Sequence, residues 1–95
     1  MLERDFQKHL INKLKITFPG CYILKNDAQL KQGIPDLLIL YNNKWACLEV
    51  KKSATATHRP NQDYNVERMN KMSYASFIYP ENEEQVLKEL KEVFA

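Results

Sequence analysis

Apolar side chains recur at every fourth position from Leu2 through Phe6, Leu10 and Leu14 to Phe18, and Ile11 widens the stripe. At about 100° per residue this spacing puts them on one face of a helix over residues 2–18. Arg4, Asp5, Lys8, Asn12 and Lys15 fall outside the apolar arc. Glu3 falls in its middle, so its carboxylate is expected to point inward. Pro19-Gly20 closes the helix. Residues 21–25 (CYILK) then read as a short strand and 26–33 as a polar loop. Residues 34–41 (IPDLLILY) form an almost unbroken apolar run, as in a strand covered on both faces, with Pro35 at its start. Asn42-Asn43 tolerates the positive φ of a tight hairpin turn. Residues 44–52 (KWACLEVKK) return as the antiparallel partner.

Beyond the hairpin the pattern changes period. Residues 53–59 read as a loop, and Pro60 opens a helix running to about Lys71. Gln62, Val66, Met69 and Ser73 share one face of that helix, which turns Gln62 inward with the apolar residues. Residues 74–79 (YASFIY) make a last strand, stopped by Pro80. Asn82 stands at the N-cap of a final helix, Gln85 at the capping-box position, and Val86, Leu87, Leu90, Val93 and Phe94 form its stripe. The predicted order is α-β-β-β-α-β-α: one α/β domain over residues 1–95, with a hairpin-bearing mixed sheet between helices.

Length and composition narrow this further. Ninety-five residues suit a single domain. No apolar run approaches the roughly 20 residues that span a bilayer. The first ten residues alternate charged and apolar types, unlike a signal peptide. Without a secretion signal a reducing cytoplasm is expected, where Cys21 and Cys47 stay unpaired; neither has a partner at zinc-ligand spacing, and both read as small core residues. The net charge of +2 is unevenly spread. Residues 1–72 hold 12 Lys/Arg against 7 Asp/Glu, and residues 73–95 hold 2 against 5. The first region suits a polyanion.

Charge then appears where the pattern says strand. Alternation puts Glu49 and Lys51 on one face with Trp45 and Cys47. Counting outward from Asn42-Asn43, Tyr41 faces Lys44 and Asp36 faces Glu49. Two carboxylates side by side repel unless a cation bridges them. Mg²⁺ takes oxygen ligands from one or two carboxylates and keeps waters, so a metal-assisted phosphodiesterase site is the expectation. Lys51, on the same face, could orient the metal-bound water or stabilise charge developing on the phosphoryl group. Glu3, turned inward by helical phase, could add a metal or water contact, and Gln62 could hold the nucleophilic water or the scissile phosphate.

Gly33-Ile34-Pro35-Asp36 followed by Glu49-Val50-Lys51 resembles the PD-(D/E)XK nuclease signature. Glu3 in the first helix and Pro60-Asn61-Gln62 after the motif resemble its VRR-NUC and Holliday-junction-resolvase-like branch. The resemblance implies a restriction-endonuclease-like fold and DNA hydrolysis dependent on Mg²⁺ or Mn²⁺. It makes Asp36 and Glu49 the metal ligands, with Glu3 as a candidate third, and Lys51 catalytic. Lys52, Arg59 and His58 are candidate phosphate contacts, though a loop histidine also reads simply as exposed. A homodimer selecting branched DNA, from a bacterial or viral source, completes the expectation. The tyrosines near the last strand or the apolar flank of the first helix are its candidate interfaces. The rival reading is a nucleic-acid-binding module that keeps the fold without catalysis.

Overall fold

A tight turn at Asn42-Asn43, with Asn42 at φ 57°, sets the register of the sheet. The computed structural model describes residues 1–95. Helix α1 (Glu3–Thr17) leads into strands β1 (Tyr22–Lys25), β2 (Leu37–Tyr41) and β3 (Lys44–Val50). Helix α2 (Pro60–Met72), strand β4 (Tyr74–Ile78), a 3₁₀ turn (Pro80–Asn82) and helix α3 (Glu83–Val93) follow. The sheet order is β1-β2-β3-β4; the first two pairings are antiparallel, and β3–β4 is parallel with α2 as the crossover. This is a mixed α/β architecture in the order read from the periodicity. No helix is long and apolar enough to cross a membrane.

One face of the sheet carries most of the core. Leu37, Ile39, Ala46, Leu48, Val50 and Ile78 meet Phe6, Leu10, Leu14 and Phe18 of the α1 region and Val86, Leu87, Leu90 and Phe94 of the α3 region. Phe18, Tyr41 and Phe94 close one end, with ring centroids 5.1–5.7 Å apart. On the opposite face the buried apolar cluster is only Cys47 and Ala75 of the sheet with Val66 of α2.

Four expectations need correction. The β2 ladder starts at Leu37, not Ile34. Pro35 has no N–H to pair, and Asn26 holds the segment instead, its Nδ2 donating to Pro35 O (2.8 Å) and its N–H to Asp36 O (2.9 Å). The β3 ladder ends at Val50, although the Lys51 N–H still donates to Ile78 O at 2.9 Å. The first turn of α1 overhangs the core: Leu2 and Glu3 are exposed, and Phe6 is the first buried side chain. Asn82 does not cap α3 with its side chain. Its Oδ1 accepts the Tyr79 N–H and its Nδ2 donates to Phe77 O, because the 3₁₀ turn that begins at Pro80 presents those groups first.

Gly33 has a definite structural task. Its φ is +78°, and a Cβ there would lie 2.6 Å from the Asn61 side chain and 2.8 Å from its backbone. Only glycine lets the loop before β2 lie this close to the start of α2.

Candidate active site

Beyond Leu37↔Leu48 strand β2 leaves β3, while β3 stays paired to β4 through Val50↔Ile78. Parting strands expose backbone N–H groups, and these need acceptors. Here two carboxylates supply them. The Asp36 N–H donates to Glu49 Oε1 (3.2 Å), and the Val50 N–H donates to Asp36 Oδ2 (3.0 Å). Asp36 therefore stands beside Glu49, as the count outward from the turn predicted.

Strand alternation turns Glu49 and Lys51 toward α2, and both are buried, Glu49 to 4% exposure. Gln62 meets them from the first turn of α2. Its Oε1 accepts from Lys51 Nζ (2.9 Å) and from the Arg59 N–H (3.1 Å), and its Nε2 donates to Glu49 Oε2 (3.0 Å). Two donors on one side and a carboxylate on the other fix the amide's orientation. Lys51 Nζ lies 3.8 Å from Glu49 Oε2. Lys51, Gln62, Glu49 and the Asp36 backbone thus form one hydrogen-bonded chain.

The acids are held against their charge. Burial, then the neighbouring Asp36 charge, pushes Glu49 up to about 7; Lys51 and the Asp36 N–H oppose this, and Glu3 adds to it. Burial also raises Asp36, against the Val50 N–H, Lys51 and Lys25. Lys51 acts on both carboxylates and Lys25 on Asp36, yet both acids stay raised, which leaves room for further positive charge. Paired acidic oxygens are the donors a hard divalent cation takes, so the residues present fit Mg²⁺ or Mn²⁺ held by Asp36 and Glu49. No group of three His, Cys, Asp or Glu side chains converges at metal-binding spacing. Water and substrate oxygens would fill the remaining positions, as is usual for Mg²⁺.

Glu3 does not join the pair. It is exposed, because the turn that carries it projects past the core, and it reaches the site only at the rim. That rim borders an open cavity of about 560 Å³, lined by Glu3, Lys51, Lys52, Ser53, Thr55 and Thr57 among others. Lys52 therefore faces the cavity beside Lys51, while Arg59 is exposed at the start of α2. His58 behaves differently from a free loop histidine. Its Nδ1 lies 2.9 Å from Asp63 Oδ1, and its ring stacks on Phe77 at 3.9 Å with the planes 11° apart. Phe77 is the β4 partner of Glu49, so His58 pins the 53–59 loop to the sheet and does not line the cavity.

Sequence reasoning missed the Gly33–Asn61 approach, the His58–Phe77 stack and the anchoring by Asn26. An Asn between a strand and a polar loop was the one local signal for the last of these. The chain matches no protein-family model and no curated protein.

Proposed function

We propose that the chain is a divalent-metal-dependent nuclease of the PD-(D/E)XK, restriction-endonuclease-like type that hydrolyses DNA phosphodiester bonds and selects branched structures. The observation that carries this is the pairing of half-buried Asp36 with buried Glu49 at the parting of β2 and β3, with Gln62 bonded to both Glu49 and Lys51. Asp36 and Glu49 would hold Mg²⁺ or Mn²⁺ there, and the chemistry it would supply is activation of a water and neutralisation of phosphoryl charge. The Lys51 ammonium, steadied by Gln62 Oε1, would face the charge that grows on the phosphoryl oxygens. Gln62 keeps Glu49 and Lys51 in fixed relation, so neither must reorganise as the water oxygen bonds phosphorus and the sugar oxygen leaves. Lys52 and Arg59 supply cations for phosphates flanking the scissile one. A cytoplasmic setting suits the free thiols Cys21 and Cys47. Two copies about a two-fold axis would cut two strands symmetrically.

Incubation with linear, nicked, flapped and four-way DNA, in Mg²⁺ or in EDTA, tests the reading. Cleavage is expected in Mg²⁺ alone and fastest on the four-way substrate. Asp36→Asn should lower it by at least about 100-fold, as loss of a principal electrostatic group does. Wild-type rates from Asp36→Asn would refute the proposal.

A further inference from the structure

Helix α2 packs on β3 and β4 and leaves the β1–β2 half of its sheet face uncovered. Cross-strand partners share a face, so Tyr22↔Leu40 and Leu24↔Leu38, then Leu40↔Trp45, form one apolar sheet surface. Tyr22 is 68% exposed, Leu24 45%, Leu40 37% and Met72, at the end of α2, 65%. Between β2 and α2 this surface sinks into a hollow of about 400 Å³, walled by Leu38, Leu40, Trp45, Met69 and Met72 among others, seven of its eight lining residues being hydrophobic.

We infer that this half-covered face is where a second copy of the chain docks, forming an isologous dimer. Three observations favour a copy over another occupant. The surface carries both a ridge, Tyr22 and Leu24 on the edge strand, and a hollow beside it, so it can complement itself about a two-fold axis. With ordinary side-chain areas, the exposed and half-exposed residues offer roughly 600 Å² per chain, so two copies bury about 1,200 Å², the lower bound of a stable specific interface. No charged side chain lines the hollow, which disfavours a nucleic-acid backbone there.

The face differs from the interfaces the sequence suggested. Tyr74 donates to Glu89, and Phe6, Leu10 and Leu14 of α1 are taken up by the core. The patch lies on the same sheet face as Glu49, four residues along β3 from Trp45, roughly 13 Å at the rise of a strand. This inference deepens the two-copy reading of the site. It can fail separately from the nuclease chemistry, because mass reports the one and cleavage the other.

Sedimentation of the full chain from about 1 to 100 µM, the range where a small interface dissociates, tests it together with fluorescence. Trp45 is the only tryptophan and borders the hollow, so its emission reads the interface directly. The expected result is a species of twice 11.2 kDa, with Trp45 emission moving to shorter wavelength as the concentration rises. Tyr22→Glu and Met72→Glu, at exposed positions, should each sediment as single chains with unchanged far-ultraviolet circular dichroism and no emission shift. The inference is overturned by a wild-type chain that stays monomeric throughout. It is equally overturned by a dimer that keeps its mass in both variants. If one variant fails to fold, the other and the wild-type emission shift decide.

Discussion

The two faces of the sheet were built for different work. Toward α1 and α3, 14 buried apolar residues interlock, and strand residues such as Leu37, Ile39, Leu48 and Val50 are sealed from water. Toward α2 only three residues form the buried apolar cluster, yet that face carries Glu49, Lys51 and Gln62. A β-strand makes the division possible, since alternate residues belong to different environments. Leu48 and Val50 hold the strand in place while Glu49 and Lys51, between and beside them, carry the polar network. Stability is concentrated on one face so that the other can tolerate paired acids.

The sharpest way to break this comparison is by truncation. Leu10→Ala should cost about 2–5 kcal/mol of unfolding free energy, as fully buried leucines do, whereas Val66→Ala in α2 should cost less than half as much. Equal losses in urea denaturation would show that the α2 layer is as structural as the other. The next effect is electrostatic. Glu49 titrates near 7 in the folded chain against an ordinary value of 4.5, so the folded state holds this proton more tightly than the unfolded. The stabilising contribution is complete below pH 4.5 and is lost as pH rises through about 7, amounting to at most about 3 kcal/mol. Metal-free protein should therefore melt lower at pH 8 than at pH 5. Glu49→Gln should flatten that profile, and Mg²⁺ should raise the melting temperature more at pH 8 than at pH 5. A smaller effect tests the seam between the loop and α2. Gly33→Ala should cost about 2 kcal/mol, from the positive φ and the Asn61 contact together, and should slow cleavage because Asn61 adjoins Gln62. Unchanged melting by calorimetry would show that the seam yields freely.

Much of the site could be read before the fold was known, and the reason is local periodicity. The turn at Asn42-Asn43 fixes a register, and counting along two strands brings Asp36 to Glu49 without long-range information. The helical period likewise turned Gln62 inward beside Val66. Glu3 shows where such reasoning stops. A helical phase gives the direction of a side chain but not whether the sheet extends beneath that turn, and here it does not. The His58–Phe77 stack joins a loop to a strand 19 positions away, and nothing in either segment announces it. The strand start was misplaced for a related reason: Ile34 and Pro35 are apolar, but a residue without an N–H cannot extend the ladder.

The topology also orders the events of folding. A two-residue turn lets β2 and β3 meet within microseconds, whereas β3–β4 pairing must wait for the α2 crossover to close. The nascent hairpin accordingly confronts Asp36 with Glu49 before Gln62 is in place to bond either Glu49 or Lys51. Ions that screen or bridge the two carboxylates act on this early step. In stopped-flow refolding at fixed ionic strength, Mg²⁺ should speed the chain's collapse as well as stabilise its end state. The cation proposed for the finished site would then serve first as an assembly factor for the hairpin that would hold it.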